Sequence, residues 1–97
     1  MKQQFRQFYD IRLGFMELDQ QQIAKLRKKI GWSQSAMARA FGIANSVTIS
    51  HWETGVSTPT STAMRLLCLL DSLSDQEMRK IALRLEQISH GTVKVSD

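Results

Sequence analysis

Three short helical segments that end at glycines constrain the fold of this chain more than any other feature. The first is predicted to begin after Asp19, because Gln22 stands three residues further on and completes a capping-box pattern. Gly31 ends this segment, since glycine readily takes the left-handed conformation at a helix C-terminus. Apolar residues recur within it at helical spacing and are expected to face a core: Ile23, Leu26 and Ile30.

The second and third segments are shorter and follow closely. The second is predicted from Ser33 to Ala40 and is ended by Gly42. Asn45 can cap the third, which is predicted from Ser46 to about Thr54. Two short helices joined by a tight, glycine-containing turn form a helix-turn-helix unit. The residues of the second segment expected to face inward are Met37, Ala38 and Phe41.

Two longer helices are predicted in the second half of the chain. Pro59 suits the first turn of one of them, which Thr58 can cap and which runs to about Ser72. The other begins with a capping box formed by Ser74 and Glu77. Its apolar stripe is expected on one side and its charged residues on another: Met78, Ile81, Ala82, Leu85 and Ile88, against Arg79, Lys80, Arg84 and Glu86.

The two ends of the chain carry weaker patterns. Phe5, Phe8 and Tyr9 fit one face of a short helix, whereas the alternation of apolar residues from Tyr9 to Phe15 is typical of a strand. We therefore expect a short helical start followed by a strand. The sequence "TVKV" near the C-terminus also alternates like a short strand.

Charge is unevenly distributed along the chain. Residues 1–45 hold eight Lys or Arg and three acids, whereas residues 46–97 hold five and six, for a net charge of +4. A basic half suits an anionic partner such as nucleic acid. Arg27, Lys28 and Lys29 are the densest basic run, and they fit either a solvated helix end that complements the helix dipole or a phosphate contact.

Composition excludes several other classes of protein. The single cysteine, Cys68, permits no intrachain disulfide; it is expected to be a buried packing residue of a cytoplasmic protein. The longest apolar run, Leu66 to Leu70, has five residues, far fewer than the roughly 20 that span a bilayer, so no membrane contact is predicted. His, Cys and acidic residues show no metal-ligand spacing, and there is no glycine-rich phosphate loop or acid–base pair. We therefore expect no catalysis, metal or cofactor.

The third segment has an unusual outer face. Ile49 and Trp52 stand three residues apart and are expected to face the core. The second helix of a helix-turn-helix unit lies in the DNA major groove, where short hydroxyls allow close approach and residues near the helix start reach base edges. The opposite arc of the segment holds small or uncharged residues, with Thr48 at its flank: Ser46, Val47, Ser50 and His51.

Residues from about 20 to 73 resemble the Cro/phage-repressor-type helix-turn-helix family, often called the XRE family. The resemblance implies an all-α, five-helix, lambda-repressor-like domain, to which a short N-terminal strand or arm and a C-terminal strand are added. The DNA-binding halves of HigA- and MqsA-type antitoxins are similar too. The matching residues follow the order of the family pattern: Ser33-Gln34, Met37-Ala38, Phe41-Gly42, "ISHWETG" from Ile49 to Gly55, and Pro59.

The family pattern also implies which residues meet DNA. One residue more than the usual spacing separates Ser33 from Trp52. We place it in the turn "GIANS", so that Asn45 takes the cap position, and we expect Glu53 to have a structural role. In this register the base-contacting residues are Ser46, Val47 and His51. The backbone-contacting residues are Ser33, Gln34, Thr48, Ser50, Thr54, Ser57 and Thr58.

The resemblance implies a sequence-specific, double-stranded DNA-binding transcription regulator, a repressor that binds a palindromic operator as a homodimer. The alternative is an antitoxin-type protein that neutralises a partner toxin while it autoregulates its operon. Three regions are expected: residues 1–18 as an arm for a dimer or partner contact, residues 19–73 as the DNA-binding domain, and residues 74–97 as a C-terminal helix and tail for dimerisation.

Overall fold

Five helices and a two-stranded ribbon form the part of the chain that the computed structural model describes, residues 8–10 and 15–91. The strands are β1 (Phe8–Asp10) and β2 (Phe15–Glu17). The helices are α1 (Gln20–Ile30), α2 (Gln34–Ala40), α3 (Ser46–Thr54), α4 (Ser61–Ser72) and α5 (Asp75–Ser89). The all-α, five-helix class predicted from the sequence is confirmed.

Side-chain hydrogen bonds set where the helices begin, because the first N–H groups of a helix lack partners within it. The carboxylate of Asp19 accepts from the backbone N–H of Gln22 at 2.8 Å, and the hydroxyl of Ser74 accepts from that of Glu77 at 3.2 Å. Both predicted capping boxes are therefore present. Asn45 caps α3 as predicted, with its side-chain oxygen 3.0 Å from the backbone nitrogen of the second helical residue.

The start of α4 differs from the prediction. Thr60, not Thr58, is the cap, and its hydroxyl accepts from the backbone N–H of Ala63 at 3.3 Å. Pro59 consequently lies before the cap rather than in the first turn of the helix. The two threonines flank the proline and offer the same hydroxyl, so the choice between them depends on tertiary packing. Pro59 is buried, and α4 begins two residues after it, at Ser61.

The core lies between the helices. α2 packs against α3 and α5, while α1 packs against α3, α4 and α5. Each fully buried large aliphatic side chain contributes roughly 1.5–3 kcal/mol through burial. An aromatic series crosses the core, in which the ring of Phe41 contacts both tryptophan rings. The buried residues are Leu18, Ile23, Leu26, Trp32, Met37, Ala38, Ile49, Trp52, Met64, Leu67, Leu70, Met78 and Ala82.

The N-terminal prediction was wrong in its helical part. Phe8–Asp10 is a strand that pairs antiparallel with β2, with Phe8 opposite Glu17 and Asp10 opposite Phe15. A paired ribbon satisfies backbone N–H and C=O groups that one strand leaves open. β2 packs against α4, and the N–H of Leu18, the next residue, lies 3.3 Å from the sulfur of Met64. Residues 1–7, residues 11–14 and the predicted "TVKV" strand lie outside the described residues.

α5 buries only part of its predicted stripe. Met78 and Ala82 are buried, whereas Ile81 is 40% exposed and Ile88 is 48% exposed. Glu86, predicted to lie away from the core, is half-buried, and its carboxylate accepts a hydrogen bond from the indole nitrogen of Trp32. α5 packs against α1, α2 and α4, and the hydrogen bond from Trp32 brings Glu86 into the buried arc, whereas the two isoleucines lie outside it.

Candidate nucleic-acid interface

α3 has one buried face and one exposed face. Ile49 is fully buried and Trp52 is 4% exposed, and both belong to the core that α3 shares with α1 and α2. Val47 is 55% exposed on the other side. The remaining residues of that side are partly exposed: Ser46, Ser50 and His51. Glu53 is the only Asp, Glu, Lys or Arg of α3, so the outer face offers hydroxyls, methyl groups and an imidazole.

Glu53 points back toward α1 instead of outward. Its carboxylate forms two hydrogen bonds with the guanidinium of Arg27, Nε to Oε2 at 2.6 Å and Nη2 to Oε1 at 3.0 Å. The two side chains are only 13% and 8% exposed. Such a two-point contact fixes orientation as well as distance. As predicted, Glu53 has a structural role, and the contact holds α3 on the end of α1.

The surroundings of Glu53 keep it ionised. Burial acts to raise the pKa of its carboxyl group, but the hydrogen bonds from Arg27 and Gln34 and the charges of Arg27 and Lys28 outweigh burial and lower that pKa. The hydrogen bond to Glu53 in turn raises the pKa of Arg27. The ion pair is therefore fully formed at neutral pH.

Two of the three basic residues at the end of α1 bind other parts of the protein. Arg27 binds Glu53, and its Nη1 also donates to the carbonyl oxygen of Trp32 at 2.9 Å. Lys29 pairs with Asp75 at the start of α5 at 3.0 Å. Neither interpretation of the basic run predicted the two carboxylate partners, because Glu53 and Asp75 are distant from it in sequence.

Two of the predicted backbone-contacting residues lie at the N-terminus of α2. The hydroxyl of Ser33 caps this helix by accepting from the backbone N–H of Ala36 at 3.0 Å. The side-chain nitrogen of Gln34 donates to Oε1 of Glu53 at 3.2 Å. Gln34 is therefore fixed relative to α3 by the same carboxylate that binds Arg27.

The other predicted backbone-contacting residues surround the C-terminal half of α3. The hydroxyl of Thr54 donates to the carbonyl oxygen of Ser50 at 3.0 Å. Gly55 then ends the helix at a φ of 83°, a left-handed conformation that glycine adopts most easily. Ser57 and Thr58 are exposed in the loop that follows. Together with Thr48, these two residues line a surface cavity of about 390 Å³, so Thr48 lies to the side of the outer face.

The role of Trp32 was not predicted from the sequence. Its buried indole N–H donates to Glu86 of α5, and its carbonyl oxygen accepts from Arg27. Contacts thus run from α5 through Trp32 and Arg27 to Glu53 on α3. A usable signal was present, since a buried indole nitrogen requires an acceptor and Glu86 borders the apolar stripe of α5.

A helix with an uncharged polar face, held after a tight turn on a second short helix, defines a helix-turn-helix DNA-binding protein. The model of the family described as Helix-turn-helix matches residues 23–78, more than half of the chain. The chain belongs to this family, in its Cro/repressor type, and is a DNA-binding transcription regulator. No curated protein and no solved structure matches the chain. The similarity to HigA- and MqsA-type antitoxins therefore stays a prediction.

Within residues 8–10 and 15–91, no group of three His, Cys, Asp or Glu residues is arranged to hold a metal ion. No helix of that part is long and apolar enough to cross a membrane. Cys68 is half-buried against the core; burial and the nearby charges of Asp71 and Glu17 raise the pKa of its thiol.

Proposed function

We propose that this regulator is a repressor that binds a palindromic operator as a homodimer. The observation that carries the proposal is the uncharged outer face of α3, on a helix fixed in place by the ion pair between Arg27 and Glu53. The proposed base-contacting residues are Ser46, Val47 and His51. The proposed backbone-contacting residues are Ser33, Gln34, Thr48, Ser50, Thr54, Ser57 and Thr58.

The three base-contacting residues have complementary chemistry. A serine hydroxyl such as that of Ser46 both donates and accepts hydrogen bonds, so it suits any base edge. The methyl groups of Val47, 55% exposed, suit the C5-methyl group of thymine. The imidazole of His51 offers a donor and an acceptor on its two nitrogens. These side chains are short, so specificity requires close approach of α3 to the groove floor.

The backbone-contacting residues contribute affinity and position. Hydroxyl and amide groups donate to phosphate oxygens, and such contacts fix register without reading sequence. Lys28 is exposed beside this region and adds positive charge. Displacement of counterions from DNA makes binding of this kind strongly dependent on salt.

A homodimer follows from the small size of the base-reading surface. One recognition helix reads only a few base pairs, and two copies on half-sites one helical turn apart, about 34 Å, multiply the discrimination. A chain with one DNA-binding unit can repress by occupying a promoter. We place this activity in the cytoplasm of a bacterial or phage-infected cell, where such promoters lie.

Selection of bound sequences from a random pool of double-stranded DNA tests the proposal. We expect an enriched palindrome whose half-site centres are about 10 base pairs apart. Affinity for that site should fall at least tenfold between about 50 and 200 mM salt. Failure to enrich any sequence would contradict specific binding, and enrichment of a single asymmetric site would contradict the homodimer.

A second function is favoured by the ribbon. β1 pairs with β2, which packs against α4, and both strands precede the matched residues 23–78, so they are not part of the family unit. In the antitoxin alternative, this arm binds and neutralises a partner toxin while α3 autoregulates the operon. Co-expression with the product of an adjacent toxin-like reading frame should restore cell growth and yield a stable complex. A homodimer that leaves the toxicity unchanged would count against this alternative.

A further inference from the structure

The segment that forms the helix-turn-helix unit and the loop after it holds very little charge. Between Ile30 and Met64 the sequence contains one arginine or lysine, Arg39, and one acid, Glu53. Glu53 is bound by Arg27 of α1. Binding to the phosphate backbone of DNA depends strongly on cations, so the position of Arg39 decides where this segment itself offers positive charge.

Arg39 is exposed in the last turn of α2. It lines a surface cleft of about 320 Å³ together with Ser35, one turn earlier on α2, and with Asn45 and Ser46 at the start of α3. Ser46 is one of the proposed base-contacting residues. The cleft therefore joins the outer side of α2 to the end of α3 that is proposed to read bases.

Arg39 differs from the basic residues of α1 in having no carboxylate partner within the described part of the chain. Arg27 binds Glu53, and Lys29 binds Asp75. An arginine has five N–H donors and no acceptor, so an exposed guanidinium without a carboxylate keeps these donors for an anion from outside the chain. The anion that lies beside a helix-turn-helix unit on DNA is the phosphate backbone.

We propose that Arg39 binds a phosphate of the DNA backbone next to the bases that the start of α3 contacts. In helix-turn-helix complexes the second helix lies in the major groove, and the helix before it crosses the backbone. Arg39 belongs to that preceding helix, α2, so its acceptor is a phosphate rather than a base edge. A guanidinium binds phosphate through two parallel N–H···O bonds, which fix direction as well as distance.

The two flanks of α3 are chemically different. Ser46 and Thr48 are two positions apart, about 200° around the helix axis. On the Thr48 side, the cavity formed with Ser57 and Thr58 contains hydroxyls and no charged residue, whereas the cleft on the Ser46 side contains Arg39. A phosphate backbone borders the major groove on each side, so one flank contacts it through hydroxyls and the other through a cation.

This inference rests on the proposed DNA contact of α3 and adds the residue that supplies charge at the base-reading end. Lys28 of α1 is close enough to Glu53 to lower the pKa of that carboxyl group, which places it near the other end of α3. Arg39 and Lys28 therefore bring positive charge to opposite ends of the helix.

The salt dependence of binding distinguishes a phosphate contact from other roles of Arg39. Arg39→Gln removes one positive charge, so the slope of log association constant against log salt concentration should become shallower by about 0.9 per bound copy. Affinity for a fluorescein-labelled duplex of the selected sequence should fall about tenfold at about 50 mM salt. The selected sequence should stay unchanged, because a phosphate contact does not read bases.

Two further variants separate charge from geometry and from position. Arg39→Lys keeps the charge and loses the two-point contact, so it should retain the slope and lose part of the affinity. Arg79→Gln makes the same charge change at an exposed position of α5 and should leave both quantities within about twofold of the original. Thermal melting and sedimentation of each variant verify its fold and its oligomeric state.

Neutral phosphates test the contact independently. Methylphosphonate replaces one phosphate at a time in the selected duplex. At the position that Arg39 binds, the replacement should weaken binding of the unaltered chain about tenfold and have little further effect on Arg39→Gln, because the partner of that phosphate is already absent. At every other position the two proteins should lose affinity equally.

The outcomes separate this contact from the proposed function. If Arg39→Gln changes the melting temperature but neither affinity nor slope, Arg39 only complements the dipole of α2, and the contact is wrong while operator binding stands. If Arg39→Gln loses the preference for one base pair, Arg39 reads a base and the phosphate assignment is wrong. If the unaltered chain enriches no sequence but binds a random duplex with a slope that Arg39→Gln reduces, the proposed function fails and the contact stands.

Discussion

α3 and α5 each bury one face in the same core, yet their outer faces are chemically different. α3 buries Ile49 and Trp52, and α5 buries Met78 and Ala82. The outer side of α3 carries hydroxyls, one valine and one imidazole. The outer side of α5 carries Ile81 between an acid, Glu77, and a base, Arg84, and Ile88 follows about one turn further on. A base edge is recognised by hydrogen-bonding groups and by apolar contact with the thymine methyl group, whereas a protein surface is recognised by large apolar groups and paired charges.

The two helices are alike in how they are tied to the rest of the domain. One glutamate of each helix points inward. Glu53 of α3 accepts a hydrogen bond from Arg27, and Glu86 of α5 accepts one from Trp32. Arg27 also binds the carbonyl oxygen of Trp32, so both glutamates meet at the junction of α1 and α2. The chemistry of the two outer faces can therefore differ, because the orientation of each helix is set by separate contacts on its inward side.

Removing the large buried anchor of α3 should have the greatest effect on stability. Trp52→Ala deletes a side chain that is 4% exposed and should lower the free energy of unfolding by about 3–5 kcal/mol. Val47→Ala, on the exposed side of the same helix, should change it by less than about 0.5 kcal/mol. Urea unfolding followed by circular dichroism measures both. Equal effects would show that α3 has no distinct buried face.

Breaking the inward contact of α3 should have the next largest effect. Arg27→Met keeps the aliphatic stem but leaves Glu53 without its cation, and it should cost about 2–3 kcal/mol of unfolding free energy. Lys29→Met is the matched control on the same helix. The pair of Lys29 with Asp75 has side chains 47% and 61% exposed, and exposed pairs contribute about 0–1 kcal/mol. Indistinguishable midpoints in urea would show that the Arg27 contact adds no more than a surface pair.

The same pair predicts a pH dependence. The pKa of Glu53 is lower in the folded protein than its usual value near 4.5, so the unfolded chain takes up a proton first as the pH falls. Its stabilisation is therefore complete above about pH 5 and is lost as the pH falls through the lowered pKa. In Glu53→Gln this part of the acid sensitivity should be absent. A loss of stability between pH 7 and 5 that Glu53→Gln removes would contradict the assignment.

Most of the fold could be predicted from interactions between residues that are close in sequence, whereas few of the long-range polar contacts could be. The caps at Asp19, Asn45 and Ser74 were predictable because each involves neighbouring residues. The cap of α4 was not, since Thr58 and Thr60 are chemically equivalent and packing of the intervening proline decides between them. Candidate DNA-contacting residues came from the family resemblance, and the structure adds which of them share the outer side of α3.

The position of Glu86 shows the limit of a periodic pattern. A stripe of apolar residues predicts that a helix is buried, but the width and direction of the buried arc depend on which neighbours pack against it. Trp32 is 54 residues away in sequence, so its contact with Glu86 could not be predicted from the periodicity of α5. The exposure of Ile81 and Ile88 shows the same limit, because both residues belong to the apolar stripe and yet lie outside the buried arc.

Removing the inward contact of α5 should have a smaller effect than removing that of α3. Glu86→Ala leaves the buried indole N–H of Trp32 without its acceptor and should cost about 1–2 kcal/mol. Glu86→Gln retains an acceptor oxygen and should cost less. Chemical unfolding of both variants supplies the comparison. A cost for Glu86→Ala as large as that for Arg27→Met would mean that the two helices are held equally strongly.

Changes on the outer face of α3 should have the smallest effect on stability and the clearest effect on specificity. Ser46→Ala and His51→Ala should each alter unfolding free energy by less than about 0.5 kcal/mol, because neither side chain is buried. Each should relax base preference at one or two positions of a half-site in selections from random DNA, since a good base contact supplies about 1–3 kcal/mol of discrimination.

Ser50→Ala is the matched control for these two changes, because it makes the same substitution on the same helix at a proposed backbone contact. It should weaken binding to all sequences about equally and leave the selected sequence unchanged. The reverse result, with Ser50→Ala altering the selected sequence and Ser46→Ala leaving it intact, would contradict the assignment of base-reading and backbone-contacting residues on α3. It would require another placement of the extra residue, even though Asn45 caps the helix.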